Sequence, residues 1–214
     1  MIAADVEGTL TVGETWKGMA AWMRAYGRAA QYQGFFNRNL PGAILARLGF
    51  GNKREFQNRF MEGAAGLLAG LSEAELKAVG VWVAKNELWP KRRQNVIAEL
   101  LGRGEPIVLC SATFQPVLEA FATLLGAGTV ALGTPLELRN GVFTGRVVGG
   151  IRSGPSKASQ LREYLDGQRL SAAYGDTLPD HYMLELAQNP VAVHPDPGLL
   201  RLARAKGWRI LVSS

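Results

Sequence analysis

The sequence has 214 residues, 47% hydrophobic and 20% charged, with a formal net charge of +6. Such a composition excludes a disordered or low-complexity protein, and the length suits one good-sized domain or a core with an inserted lobe. No uncharged apolar stretch approaches the ~20 residues of a membrane helix, which excludes stable membrane insertion. The single cysteine, Cys110, excludes an internal disulfide.

Lone cysteine usage fits a reducing, cytoplasmic location, and no positive segment leads into an apolar one near Met1, so no secretory signal is expected. Ile2-Ala3-Ala4 is a short apolar run suited to a buried strand, and Gly8 permits a tight exit from it. Asp5 and Glu7 then fall at or just past the strand's carboxyl end, where open α/β sheets place their chemistry. Two acids that close repel unless a cation or a shared proton holds them together.

From about Glu14 to Pro90 the pattern is almost wholly helical, with apolar residues three and four apart and a capping box at Ser72 and Glu75. Residues 14–92 hold 12 Lys and Arg against 6 Asp and Glu, so all of the positive excess lies there. These cations are dispersed along the helical pattern and form either a solvated face or a basic lobe that attracts an anionic substrate. Nothing supports a nucleic-acid partner: stacking-aromatic motifs and zinc-finger spacings are missing. Trp16, Trp22 and Met23 fall at helical spacing and belong to the core of this segment, some of them facing a cleft.

The texture then changes. A helix over 92–101 precedes a strand at 107–110, a helix at 115–125 and a short strand at 129–133. Residues 136–149 read as a hairpin turning at Asn140-Gly141. A helix at 156–165, a strand at 170–174, a helix at 179–188, a strand at 191–193, a helix at 197–206 and a strand at 208–212 follow. Strands alternating with helices predict an α/β fold, a parallel sheet covered on both faces. The opening strand belongs to that sheet, so the helical segment is an insertion after strand one. The expected organisation is a core of residues 1–13 and 93–214 with a helical cap at 14–92.

Three other strand ends carry notable polar residues. Cys110 itself reads as a buried strand thiol, and "IVLCSAT" places Ser111 and Ala112 just before a helix. A hydroxyl and free backbone N–H groups there form an anion site, unless Ser111 or Thr113 simply caps the helix. Lys157 in "SGPSKASQL" stands at the start of a helix, where a cation is disfavoured unless it meets an anion. In "AAYGDTLPD" a strand ends at Gly175-Asp176, and Asp180 follows in the first turn of a helix begun by Pro179. Asp5, Asp176 and Asp180 offer Mg²⁺ hard oxygen ligands, while Ser111 and Lys157 offer a hydroxyl and an ammonium to phosphate oxygens.

Order and spacing resemble the haloacid dehalogenase superfamily, whose pattern is D-x-D-G-T, then Ser/Thr, a distant Lys, and G-D-x-x-x-D. The strongest likeness lies in "DVEGTLT", "LELRNGVFTGR" and "AYGDTLPDHYMLELAQNPVAVHPDPGLLRLARAKGW", and it is to the phosphoserine-phosphatase-like branch. That resemblance implies a Rossmann-like core with a small helical cap after the first strand. It also implies a cytoplasmic Mg²⁺-dependent phosphatase acting on a small phosphorylated metabolite. By the same resemblance Asp5 is the nucleophile and Glu7 the general acid/base, Glu7 also ligating Mg²⁺ through its backbone carbonyl. Ser111, Ala112 and Lys157 hold the phosphoryl group, and Asp176 and Asp180 complete the metal site.

Glu7 departs from the family's usual Asp, a feature shared with the phosphoserine:homoserine phosphotransferase type, so hydrolysis and transfer to another alcohol both stay open. A non-catalytic phospho-ligand or membrane-surface binder, built on the same fold and using the basic cap, is the third alternative, against which Asp5 argues. Phosphoserine phosphatases also clamp the substrate amine with a cap Glu, matched by Glu14, and its carboxylate with a cap Arg. The place of that Arg falls on Gly63, with Arg59 about one turn earlier as the substitute. His181 and His194 lack a metal-ligand context, His181 being either a surface residue or a lining of the site entrance.

Overall fold

The computed structural model describes residues 1–50, 52–126 and 128–212. After β1 (Ile2–Ala4) come α1 (Thr15–Ala25), α2 (Ala29–Arg47), α3 (Lys53–Gly66) and α4 (Glu73–Val83), then a π-helical turn, Ala84–Leu88, and a 3₁₀ turn, Trp89–Lys91. The chain next alternates through α5 (Gln94–Gly102), β2 (Ile107–Phe114), α6 (Gln115–Leu125) and β3 (Val130–Thr134). A hairpin of β4 (Leu136–Arg139) and β5 (Val142–Val147) precedes α7 (Pro155–Leu165) and β6 (Leu170–Gly175). A 3₁₀ turn, Leu178–Asp180, leads into α8 (His181–Leu184), β7 (Ala187–Val193), α9 (Pro197–Lys206) and β8 (Arg209–Leu211).

Six strands form a parallel sheet in the order β3-β2-β1-β6-β7-β8. β1 sits inside it, with Ile2 beside Ile107 on one side and Ala172 on the other. Its alternation divides two cores: Ile2 and Ala4 join one apolar cluster, and Ala3 joins the other with Leu161, Met183 and Leu199. The chain builds outward from β1 to β3, then returns to build the other way from β6. Strand order therefore reverses between β1 and β6, which opens a crevice at their carboxyl ends.

Helices α1 to α4 pack around aromatic side chains. Trp16 lies 6.4 Å from Phe36 in a stacked pair and 6.0 Å from Phe60 edge-on. Asn52 caps α3, and Ser72 with Glu75 forms the expected capping box of α4. Trp22 and Met23 are buried in this helical layer. The two crossings to the sheet are joined, Val12 N–H donating to the Lys91 carbonyl at 3.1 Å and Arg93 N–H to the Leu10 carbonyl at 2.7 Å. On the far side Arg54 Nη2 reaches Ser153 Oγ at 3.3 Å, seating α3 on the loop before α7.

Three expectations need correction. The helix expected at 92–101 begins at Gln94. β2 does not stop at Cys110 but continues to Phe114, with an irregular register against β3 between those residues. The helix expected at 179–188 shrinks to the Leu178–Asp180 turn and α8, because β7 begins at Ala187. By contrast the hairpin turns at Asn140 and Gly141, with φ of 52° and 76°, the positive pair that a two-residue turn requires.

Candidate active site

The opening motif folds back immediately after β1. Asp5 N–H still bonds the Tyr174 carbonyl at 2.9 Å, so its position is fixed by the sheet. Leu10 and Thr11 N–H groups then bond the Val6 carbonyl, closing a tight loop. Gly8 has φ +90°, and a Cβ there would lie 2.0 Å from Asp176 Oδ2. Only glycine brings the two carboxyl ends this close. Thr9, fully buried, donates its hydroxyl to Asp176 Oδ1 at 2.9 Å.

Lys157 projects from the first turn of α7 into the same crevice. Its Nζ donates to Asp5 Oδ1 and to Asp180 Oδ1, each at 2.6 Å. Asp180 Oδ2 accepts from Asp176 N–H, Thr177 N–H and the Thr177 hydroxyl. Both oxygens of Asp180 are thus engaged, which makes it the group that fixes the loop and the lysine. Oxygens of Asp5, Asp176 and Asp180 lie within 4.8 Å of one another, a set that could hold a metal ion. Hard carboxylate oxygens on three separate anchors suit Mg²⁺.

Electrostatics in the crevice follow from burial. Desolvation pushes the Asp5 carboxyl up, and Lys157 offsets only part of that. Burial would push the Lys157 ammonium down, but Asp180 and Asp5 outweigh it and hold the group above its ordinary range. Asp180 is also opposed by burial, yet Lys157 holds it below the usual carboxylate range. Asp176 is pushed up to about 8, by burial first and then by Asp5 and Asp180. One lysine does not balance three carboxylates, two of them buried and Asp176 half-buried, and a bound cation would.

Glu7 points away from this cluster. Its Oε1 accepts the Thr113 hydroxyl at 2.7 Å and the Thr15 hydroxyl, and the Thr15 backbone N–H also favours its charged form. Burial pushes its carboxyl up, and the two hydroxyls only partly restore it. Thr113 and Thr15 are the functional neighbours that the sequence reading missed, as it missed Thr9. Strand alternation held one clue, since Ser111 and Thr113 share a face of β2. The Ser111 hydroxyl donates to Thr113 Oγ1 at 3.2 Å. Because β2 runs on to Phe114, Ser111 and Ala112 lie within the strand, and α6 starts four residues past Ser111. The expected helix N-terminus at Ser111 is therefore not there.

Other candidates fall outside the cluster. Glu14 occupies the N-cap of α1, where its carboxylate accepts from the Trp16 indole and from Lys17 Nζ at 2.8 Å. Arg59 has a side chain 69% exposed and pairs with Glu55 at 3.6 Å on the surface of α3. Gly63 packs against Phe35, whose ring would lie 2.7 Å from a Cβ at that position. His181 Nδ1 meets the Leu178 carbonyl at 2.8 Å, and His194 has a φ of 41° in the loop after β7. Cys110 is buried in β2, and desolvation pushes its thiol up to about 12.

A family model for haloacid dehalogenase-like hydrolase matches residues 2–185. Phosphoserine phosphatase SerB1 of Mycobacterium tuberculosis is 33% identical over 218 residues, covering 96% of this chain and 68% of that protein. A crystal structure of a Bordetella pertussis protein of unknown function superposes with a TM-score of 0.79 at 24% identity, covering 99% of this chain and 97% of the other. A phosphoserine phosphatase in its apo form superposes at 0.61 and 20% identity, over 100% and 92% of the respective chains.

Proposed function

The chain belongs to the haloacid dehalogenase-like hydrolase family and is a phosphatase of that family, and from this premise we propose how it acts. It hydrolyses a small phosphomonoester in two steps through a phosphoryl group carried on Asp5. The observation that carries this reading is Lys157 bridging Asp5 and Asp180 in a buried crevice, with Asp176 beside them.

Lys157 takes one oxygen of Asp5, leaving the other to attack phosphorus. As the P–O bond to the leaving alcohol breaks, Glu7 gives that oxygen the proton that burial lets it keep. In the second step the ionised Glu7 takes a proton from water, which attacks phosphorus and releases Asp5. Lys157 and the Ser111 hydroxyl hold the transferring oxygens. Mg²⁺ held by Asp5 and Asp176, and supported by Asp180, would neutralise charge on the phosphoryl group. Residues 14–92 act as a cap over the crevice. With Glu14 engaged by Trp16 and Lys17, and Arg59 on the surface, an amino-acid clamp gains no support, and the substrate is left as a small phosphomonoester.

The test is phosphate release from a panel of phosphorylated metabolites with Mg²⁺ and after chelation. Release that stops with EDTA and returns with Mg²⁺ is expected. Turnover unaffected by rigorous chelation overturns the metal assignment. Phosphorylated alcohols formed when acceptors are added would replace hydrolysis with transfer.

A further inference from the structure

One part of the helical insertion takes no part in the crevice. Residues 18–54 carry six Lys and Arg and no Asp or Glu. Within that stretch the first half of α2 is buried through Tyr32 and Phe35. From Leu40 on, beside Pro41 in the helix interior, the large apolar residues turn outward. Leu40, Ile44 and Leu48 recur every four residues and so share one helix face, and all three are exposed. Leu45 and Phe50 extend the patch, with Leu48 and Phe50 each 67% exposed. Most large apolar residues exposed elsewhere stand singly, which is ordinary for a protein surface. A run of five within eleven positions is not.

We infer that this end of the insertion is a peripheral contact surface for a bilayer carrying anionic headgroups. Two features must be satisfied together, an apolar stripe and a segment whose formal charges are all positive. A soluble anion answers the charge and leaves the stripe in water. A second copy docked face to face would cover the stripe, but would set six cations against six with no acid in the segment to offset them. An anionic interface takes the aliphatic side chains into its acyl boundary and attracts the cations to its headgroups. Among the described residues no helix is long and apolar enough to cross a membrane, so the contact lies on the surface.

The experiment is co-sedimentation of the whole protein with phosphatidylcholine vesicles, with and without phosphatidylglycerol, at low and high salt. Binding to the anionic vesicles only, released by salt, is expected. The double variant Leu48→Glu/Phe50→Glu alters exposed side chains, so circular dichroism should match wild type while partitioning falls on the order of 100-fold. Val148→Glu, an exposed apolar position elsewhere, should bind as wild type does. Absence of binding to either vesicle overturns the inference, as does equal binding by the folded double variant. A dimer in sedimentation equilibrium that the double variant abolishes, without vesicle binding, assigns the patch to a second copy instead.

Discussion

Charge is used in opposite ways at the sheet's carboxyl edge and on the helical insertion. At the edge, Asp5, Lys157 and Asp180 are each buried, and every described contact is short and directed. On the insertion, ion pairs such as Lys77–Glu73 and Arg59–Glu55 lie on exposed helix faces, where solvent screens them. A buried charge acts through its immediate neighbours, so its effect is lost when one atom is moved. An exposed excess acts as a summed field that no single residue owns. Sequence change should therefore be punished at the first region and absorbed at the second.

The largest expected effect breaks the edge directly. Asp5→Asn should leave the fold intact and cut phosphate release at least ~100-fold, because an amide of the same shape is a poor nucleophile. A folded Asp5→Asn variant with near wild-type turnover would remove Asp5 from the chemistry. Glu7→Gln should cost on the order of 10²–10⁴-fold on alkyl phosphates and less on aryl phosphates, whose leaving groups need less protonation. A pH profile sharpens that assignment. Glu7 has its carboxyl raised by burial, so kcat/KM is retained below the raised value and falls as pH rises through it. Thr113→Val removes a hydrogen bond that favours the charged form, so the falling limb should move to higher pH. A limb that stays in place would detach it from Glu7.

Lys157→Met should lower stability by about 3–5 kcal/mol, since Asp5 and Asp180 are left buried without their cation. Urea unfolding without added divalent ion measures it, and a loss under about 1 kcal/mol would mean the crevice is wetter than its burial implies. The smallest effect belongs to the insertion. Arg59→Ala should change stability by less than about 0.5 kcal/mol. A large fall in kcat/KM on that change would make Arg59 a substrate contact and erase the contrast between the regions.

What could be read from the sequence depended on how local each signal was. The Asn140-Gly141 turn, α6 and α9 announce themselves through residues a few positions apart. Asp5, Lys157, Asp176 and Asp180 were conspicuous because each ends a strand or opens a helical turn, and the fold brings them together. The strand expected at 191–193 begins instead at Ala187, its first residues hidden by Pro190, which argues against a strand interior. That proline is accommodated because β8 joins β7 only from Val191 onward. The hydroxyls around Glu7 were hidden for another reason: Thr113 lies 106 residues away, and nothing in "SAT" says which carboxylate it will meet. Burial of that kind is a property of the assembled sheet.

The position of β1 also bears on how the protein is made. Ile2 leaves the ribosome long before Ile107 and Ala172, the residues it must lie between. The helical insertion, rich in near-neighbour contacts, has everything needed to form helices meanwhile, whereas the strand before Asp5 waits for partners from later parts of the chain. Until β6 is complete, Asp5 lacks the Tyr174 carbonyl that its N–H bonds, and Asp180, the second partner of Lys157, follows later still. The crevice is therefore completed late.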